Sequence, residues 1–267
     1  MSTVKTIKRG RPAKQNQTVV FDATSIKLFR GSDLKFDDSL FVPLKTNSVV
    51  DSILSTEGGL MPGTNMILVG GPGSGKSTVA LDMLSNFTKQ GYKCLFVSGE
   101  MDEIAHYKYC KRMPKFANVQ TLFLKNYAST VKETLEYVFD QGYDVICIDS
   151  IAEVLEMVKD NCKITEGAAE FWFLNLQDKH KKGENQVGYY TSFVNIQQVT
   201  KQGDFAGSNR LKHMTDAMCH VVRSKDGFAR TMHFSKNRDC DNAFSVSFVI
   251  KNDRVEYSYE TASDLED

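Results

Sequence analysis

The residues best suited to chemistry form a glycine-rich run at positions 69–78, which reads Val-Gly-Gly-Pro-Gly-Ser-Gly-Lys-Ser-Thr. It fills every fixed position of the phosphate-binding pattern G-x-x-x-x-G-K-[ST]. In such a loop the backbone N–H groups and the following helix N-terminus face the phosphates. Lys76 is expected to reach the β- and γ-phosphates, and the Ser77 hydroxyl to ligate Mg²⁺. The run predicts a nucleoside-triphosphate site formed by Gly70, Gly71, Pro72, Gly73, Ser74, Gly75, Lys76, Ser77 and Thr78.

Two acidic residues supply the other groups that such a site requires. Asp149 closes the apolar run Val-Ile-Cys-Ile at 145–148, which is the Walker B pattern and predicts a carboxylate that holds Mg²⁺ through water. Glu100 follows the apolar run at 94–98, where a glutamate can polarise a water molecule against the γ-phosphate. The alternative for Glu100 is a solvated acid that opens the next helix beside Asp102 and Glu103.

A parallel sheet with crossover helices is expected to position these groups, because strand-like apolar runs alternate with helix-period segments. Strands are predicted at 66–69, 94–98, 119–124, 144–149 and 189–196. Helices are predicted after the phosphate loop and around 131–139 and 168–181. The segment at 107–112 is expected to be a solvated helix face.

From about residue 218 the pattern changes to short β-rich runs separated by turn signals. These runs lie at 219–223, 229–235, 244–250 and 255–259. They predict hairpins that extend the sheet, with helices over the parallel part only. The expected fold class is α/β: a phosphate-loop core with a mainly parallel twisted sheet flanked by helices, and C-terminal β-hairpins.

Length and composition limit the organisation of the chain. With 267 residues and 41% hydrophobic content, it can bury one substantial core, so one domain is expected at 22–258. The formal net charge is zero, but a basic tail is expected at 1–21 and an acidic tail at 259–267.

Six cysteines without a C-x-x-C pair predict a reducing compartment and no structural zinc. With no apolar stretch of membrane-spanning length and no signal peptide, a cytoplasmic or nucleoid-associated protein is expected, in the host cytoplasm if phage-encoded.

Three further motifs follow in a fixed order. They are Val-Thr-Lys-Gln-Gly-Asp-Phe-Ala-Gly at 199–207, His-Met-x-Asp at 213–216 and Lys-Asn-Arg at 236–238. With the phosphate loop, Glu100 and the strand ending at Asp149, this order resembles the ATPase core of bacterial RadA (Sms), in the RecA and DnaB superfamily, over roughly residues 45–250. RadA also has a four-cysteine zinc module and a Lon-like domain, which this sequence lacks.

The resemblance implies ATP as the nucleotide, a RecA-like ATPase domain and specific residue roles. Glu100 corresponds to the catalytic glutamate, and Gln198 to the residue that senses the γ-phosphate, where RadA proteins usually have histidine. Both side chains can hydrogen-bond a phosphate. Lys236 and Arg238 match cations that project into the ATP site of the neighbouring subunit and stabilise charge on the transferring phosphoryl group. The alternative for this triplet is a solvated basic hairpin.

The resemblance also points to loops that would contact DNA. In RecA-like cores the loops after the fourth and fifth strands line a central channel, here about 158–166 and 201–210. The second loop has phosphate-binding donors and one aromatic residue, with Lys201, Gln202, Phe205 and Arg210 as candidates. Near the N-terminus, Arg9 and Arg11 lie in an Arg-Gly-Arg-Pro run typical of an AT-hook, which binds the minor groove. The alternative is a disordered basic tail.

The expected function is a Mg²⁺-dependent ATPase that forms a homo-oligomeric ring or filament on single-stranded DNA. It would hydrolyse ATP at subunit interfaces, with DNA stimulation, in recombination, repair or replication. Two alternatives stay open. A DnaB-like replicative helicase core would need an N-terminal helical domain that residues 1–40 cannot supply. A KaiC-like regulatory ATPase would use the same phosphate chemistry without DNA.

Overall fold

The computed structural model describes residues 26–199, 207–225, 227–241 and 244–260, without the side chain of Glu260. The chain divides into two units, one ending at Asp37 and one beginning at Asp38. In the described part of the first unit, residues 31–33 form a 3₁₀ turn, and the Arg30 N–H donates to the Asp33 carboxylate at 3.2 Å. The second unit carries all the elements described below.

The second unit is built on one sheet, with helices in the connections. Its strands are β1 (Asn65–Gly70), β2 (Cys94–Ser98), β3 (Gln120–Phe123), β4 (Val145–Asp149), β5 (Ser192–Gln198), β6 (Ala217–Arg223), β7 (Ala229–Asn237), β8 (Ser245–Ile250) and β9 (Val255–Glu260). Its helices are α1 (Asp51–Leu54), α2 (Lys76–Lys89), α3 (Glu103–Arg112), α4 (Val131–Asp140), α5 (Ile151–Cys162), α6 (Glu166–Lys181) and α7 (Asn209–Met214).

The strand order in the sheet is β3-β2-β4-β5-β1-β6-β7-β8-β9. The first six strands in this order, from β3 at one side of the sheet to β6, run parallel. Strands β7, β8 and β9 extend the sheet as antiparallel neighbours. Strands β1, β2 and β4 are buried along their whole length, as expected for parallel strands covered on both faces. The predicted α/β fold class is confirmed.

Alternate residues of β1 enter two different cores. Met66 and Leu68 pack with α1 and α2 on one face, and Ile67 and Val69 pack with α4, α5 and α6 on the other. The period of two along a strand sends successive side chains to opposite faces of the sheet. The central strand that leads into the phosphate loop is therefore held between two apolar layers.

The prediction that helices cover only the parallel strands is wrong for one face. Met232 of β7 and Phe248 of β8 belong to the same buried cluster as α2. Tyr257 of β9 donates its hydroxyl proton to Asp82 of α2 at 3.0 Å, and Lys115 forms an ion pair with Asp82 at 2.6 Å. The contacts of Met232, Phe248 and Tyr257 join the antiparallel extension to the phosphate-loop helix.

Strand β5 begins later and ends later than predicted, at Ser192 and Gln198. The Asn185 side chain explains the late start, because it accepts hydrogen bonds from the N–H groups of Val187 and Tyr189 and donates to the Tyr189 carbonyl. These bonds fold residues 185–189 into a turn. No helix in the described ranges has the length and apolarity that crossing a membrane would require.

Candidate functional site

The carboxyl ends of four parallel strands bring the predicted catalytic groups to one edge of the sheet, called here the carboxyl edge. Register pairs Ser98 with Asp149 and Gly70 with Gln198, so Glu100, Asp149 and Gln198 surround the phosphate loop. They line one cleft of about 400 Å³. The other lining residues are Pro72, Gly73, Gly75, Lys76, Ser77, Thr78, Tyr109, Arg112, Ile196, Arg230 and Ile250. Ligands in open α/β sheets bind at this edge.

Two kinds of constraint require glycine in the phosphate loop. Gly73 and Gly75 have φ angles of 71° and 100°, which favour glycine. Gly70 has no such angle, but a side chain there would lie 2.4 Å from the Val221 carbonyl oxygen of β6. Gly70 therefore allows close packing of neighbouring strands, whereas Gly71 has open space around it.

Lys76 and Asp149 form the charged centre of the cleft. The Lys76 ammonium donates to the carbonyl oxygens of Gly70 at 2.7 Å and Gly71 at 3.0 Å. Burial lowers the pKa of Lys76, and Asp149 and Glu100 act in the opposite direction. Asp149 is 2% exposed, and burial, with a smaller contribution from Glu100, raises its pKa to about 6. The cleft therefore holds buried charge of both signs.

The residues at this point fit a Mg²⁺ ion. The Ser77 hydroxyl hydrogen-bonds the Asp149 carboxylate, which places two hard oxygen ligands side by side. A buried carboxylate whose pKa is raised by desolvation is stabilised by a nearby cation. The pair predicted as metal-binding is thus brought together, with donor atoms of the chemistry that Mg²⁺ prefers.

Backbone contacts fix Glu100 beside Asp149. The Asp149 carbonyl oxygen accepts hydrogen bonds from the N–H groups of Gly99 at 2.7 Å and Glu100 at 3.3 Å. The Lys125 ammonium donates to the Glu100 carbonyl oxygen at 2.9 Å, and the Gln198 amide donates to the Glu100 carboxylate at 3.5 Å. Glu100 therefore lies in the cleft beside the predicted γ-phosphate sensor.

The alternative interpretation of Glu100 fits a neighbouring acid instead. Asp102 is the N-cap of α3, and its carboxylate accepts from the Ala105 N–H at 2.7 Å. Glu103 is the first residue of that helix and bonds Asn126 at 2.5 Å. The acids that open the helix are thus distinct from the one that lines the cleft.

The prediction of a solvated face at 107–112 is wrong for Tyr109, which is half-buried, whereas Arg112 is exposed as expected. The Tyr109 hydroxyl lies 3.0 Å from the Thr78 hydroxyl, and the Arg112 guanidinium lies 4.8 Å from the centre of the Tyr109 ring. Both residues line the cleft. Their spacing of three residues puts them on one helix face, and their position just after Glu100 was the available signal.

Arg230 and Ile250 were also missed by the sequence interpretation. Arg230 side-chain atoms lie 3.2 Å from where a Cβ on Gly75 would be, and those of Ile250 lie at 3.1 Å. Burial lowers the pKa of Arg230. The antiparallel pairing of β7 with β8 places these two residues beside the phosphate loop. This placement depends on the lengths of the hairpins.

The Lys236-Asn237-Arg238 triplet lies at the opposite edge of the sheet, called here the amino edge. Pairing of Ala217 with Asn237 places the end of β7 beside the start of β6. The Lys236 ammonium contacts the carbonyl oxygens of Lys212, His213 and Thr215, which end α7. The Asn237 amide donates to the Ile53 and Leu54 carbonyls of α1, at 3.2 and 3.1 Å. Arg238 is 63% exposed and pairs with Asp216 at 2.9 Å.

Most of the predicted DNA contacts lie outside the described residues, namely Arg9, Arg11, Lys201, Gln202 and Phe205. Arg210 is described and belongs to α7. It lies 3.9 Å from the Glu170 carboxylate and over the ring of Phe171.

The predicted channel loop at 158–166 is wrong for most of its length. Residues 158–162 form the last turn of α5, and α6 begins at Glu166. The apolar spacing of Ile151, Val154 and Val158 continues the helix to that point. Lys163, with a φ angle of 53°, ends it.

Comparisons with known proteins agree with this geometry. A family model described as "ATPase: KaiC" matches residues 48–115. DNA repair protein RadA of Campylobacter jejuni is 30% identical over 181 residues, 68% of this chain and 39% of that protein. DNA repair protein RadA of Chlamydia muridarum is 28% identical over 239 residues, 84% of this chain and 49% of that protein. The chain therefore spans less than half the length of these curated relatives.

Two solved structures share the fold at low sequence identity. The flagellar accessory protein FlaH from Methanocaldococcus jannaschii matches with a TM-score of 0.59 and 12% identity, over 83% of this chain and all of that chain. The RadB recombinase matches with a TM-score of 0.52 and 16% identity, over 80% of this chain and 98% of that chain. The predicted resemblance is confirmed: the chain has a RecA-like α/β fold and is a relative of DNA repair protein RadA in its ATPase core.

Proposed function

We propose that this chain is a Mg²⁺-dependent ATPase that assembles with copies of itself on single-stranded DNA. It hydrolyses ATP at the interfaces between copies, and it acts in recombination, repair or replication. The observation that carries the proposal is the convergence of Lys76, Glu100, Asp149 and Gln198 on one cleft. The relatives named DNA repair protein RadA support the DNA part of the assignment.

Each group in the cleft has a distinct task. The Lys76 ammonium exchanges its loop carbonyl partners for the β- and γ-phosphates of ATP. Glu100 orients and polarises the attacking water molecule, and the Gln198 amide at 3.5 Å links that carboxylate to the γ-phosphate. Ser77 and Asp149 would hold Mg²⁺, which neutralises charge on the phosphate oxygens when it is bound.

The position of Arg238 supports hydrolysis at an interface. Its partner Asp216 bonds the N–H of Asn65, which lies five residues before Gly70 on β1. At about 3.3 Å per residue, the two ends of this strand are about 16 Å apart. Arg238 therefore serves the ATP of a second copy, where a cation supplied in trans stabilises charge in the transition state.

Mixed assemblies test the trans site. Lys76→Ala subunits keep Arg238 but cannot hydrolyse, and Arg238→Ala subunits keep an intact cleft. A one-to-one mixture is expected to recover a measurable fraction of the wild-type ATPase rate at hybrid interfaces, while each variant alone stays below about 1%. Inactive mixtures that assemble normally, as measured by light scattering, would refute hydrolysis in trans.

A second candidate function is a KaiC-like regulatory ATPase that does not use DNA. The family-model match supports it. The ATPase rate with and without single-stranded DNA separates the two functions. Stimulation that falls in the variant Lys201→Ala with Arg210→Ala supports the DNA motor. Equal rates with and without DNA support the regulatory ATPase.

A further inference from the structure

Asp216 is a nearly buried carboxylate at the amino edge that the catalytic assignments above do not use. Its side chain is 14% exposed. One carboxylate oxygen accepts from the Asn65 N–H at 2.9 Å and from the Lys181 ammonium at 2.5 Å. The other oxygen accepts from the Arg238 guanidinium at 2.9 Å. The carboxylate is therefore fixed by two donors of the rigid core and offers its remaining oxygen to Arg238.

We propose that Asp216 is a positioning residue for hydrolysis, which holds the Arg238 guanidinium in the orientation needed at the ATP site of a neighbouring copy. The inference rests on the proposed function, because it requires Arg238 to act in trans. An arginine that is 63% exposed and unpaired would lose rotamer entropy when it met the phosphate. A charge-assisted hydrogen bond to a fixed carboxylate restricts the side chain beforehand.

The charges at this edge leave Arg238 able to attract a phosphate. Lys181 lies against the same carboxylate, so Asp216 is already neutralised without Arg238. Asp239, which directly follows Arg238 in the chain, accepts from the Thr64 hydroxyl at 3.3 Å. Counting Lys181, Lys236 and Arg238 against Asp216 and Asp239, the cluster keeps a charge of about +1. Asp216 thus orients the guanidinium without cancelling the field that a phosphate would meet.

The rest of the triplet anchors the same segment. Lys236 and Asn237 bond the backbone carbonyls that end α7 and α1, and both side chains are only partly exposed. The backbone on the N-terminal side of Arg238 is therefore tied to two helices, and only the Arg238 side chain is left to be positioned. Asp216 supplies that last constraint from the start of β6.

The test uses the full chain with Asp216→Asn, which keeps the shape and removes the charge. Asp239→Asn is the matched control at the same edge, because the Asp239 carboxylate accepts from Thr64, whereas the described ion pair of Arg238 is with Asp216. For assembled protein we expect kcat to fall about tenfold in Asp216→Asn with KM for ATP within about twofold, and Asp239→Asn to stay near wild type. When Asp216→Asn is mixed with Lys76→Ala, activity should recover as it does for Arg238→Ala, since the Asp216→Asn cleft is intact.

A double-mutant cycle separates positioning from a general loss of structure. If Asp216 acts through Arg238, adding Asp216→Asn to Arg238→Ala lowers kcat by less than about twofold further. The same tenfold loss in both backgrounds would overturn the inference, and so would unchanged kcat in Asp216→Asn alone. Full activity of Arg238→Ala would instead refute hydrolysis in trans, on which the inference rests. Failure of the inference and failure of the proposed function therefore give different results.

Discussion

The polar groups at the two edges of the sheet differ in whether they have partners within the chain. At the carboxyl edge, Asp149 is buried and charged at a cost, and among the described residues the Ser74 hydroxyl has no hydrogen-bond partner. At the amino edge, Lys236, Asn237 and Arg238 all have partners within the chain. This difference supports the proposal that the carboxyl edge receives a ligand and that the amino edge presents a fixed cation.

This difference indicates which free energies each edge contributes. Buried polar groups without hydrogen-bond partners carry an unfavourable desolvation free energy. A bound ligand lowers this free energy by supplying the missing partners. Polar groups that already have partners within the chain are held rigidly, so they lose little conformational entropy when a second copy docks. In the proposed assembly the two edges of neighbouring copies form one site, so changes at the carboxyl edge should affect chemistry and binding within the copy that carries them.

The largest expected effect tests the reacting end of the carboxyl edge. Glu100→Gln removes the carboxylate that polarises water, so kcat for ATP should fall about 10²-fold to 10³-fold. ATP affinity should stay within about threefold, because the backbone contacts of residue 100 with Asp149 do not depend on its side chain. Steady-state hydrolysis and equilibrium nucleotide binding measure the two quantities.

The matched control for this change is Glu103→Gln. Glu103 lies three residues further on, at the start of α3, and its carboxylate bonds Asn126 rather than lining the cleft. Its loss should leave kcat unchanged. Equal losses in the two variants would show that general acidity near α3, and not the position of Glu100, supports hydrolysis.

The next effect compares the response to acid of two buried groups, Asp149 at the carboxyl edge and His180 in the last turn of α6. Burial raises the pKa of Asp149 to about 6, so the folded state binds a proton more tightly than the unfolded state, and stability is gained as pH falls from 6 towards 4. Burial, with a smaller contribution from Lys179, lowers the pKa of His180 to about 4. Stability is therefore lost as pH falls from about 6.5 to 4. Each contribution is at most about 3 kcal/mol.

Single variants should separate these opposing contributions. Without Mg²⁺ or nucleotide, Asp149→Asn should raise the free energy of unfolding at pH 7.5 by about 2 kcal/mol while abolishing hydrolysis. His180→Leu should remove about 2 kcal/mol of the stability loss between pH 6.5 and 4. Urea unfolding at a series of pH values checks both, and a less stable Asp149→Asn at pH 7.5 would contradict the first.

The sequence predicted the elements of the carboxyl edge closely, for a physical reason. Parallel strands covered on both faces are continuous apolar runs, so β2 was predicted at its observed bounds and β4 within one residue. Asp149 ends one such run and Glu100 comes just after another, whereas Gln198 was assigned from the resemblance; their convergence follows from parallel topology. Local pattern is sufficient where the strand and the functional group are adjacent in the chain.

Contacts between distant segments were outside the reach of the sequence. Asp216, Lys181 and Arg238 are far apart in the chain, and their pairing depends on how α6, β6 and β7 meet at the amino edge. The hairpin that brings Arg230 to the phosphate loop is of the same kind. On α3, a polar helix face looks the same in sequence whether it meets water or a nucleotide.

The smallest expected effect tests the end of the carboxyl edge that the sequence interpretation missed. Arg112→Ala removes a guanidinium that stacks on Tyr109 and lines the cleft away from Glu100. ATP affinity should fall about tenfold, or about 1.4 kcal/mol, with kcat within about twofold, if this group contacts the bound nucleotide and not the reacting phosphate.

Helix α3 offers its own control for this change. Lys111 stacks on Tyr107 at 5.2 Å, a similar pair beyond the lining of the nucleotide cleft, so Lys111→Ala should leave ATP affinity unchanged. Titration with a fluorescent ATP analogue compares the two variants directly. Equal weakening by both would mean that the positive charge of α3 attracts ATP at long range, and a high-salt titration would then abolish the difference from wild type. Weakening by Arg112→Ala alone, retained at high salt, assigns the contact to the lined cleft, because salt screens a direct contact far less than a long-range attraction.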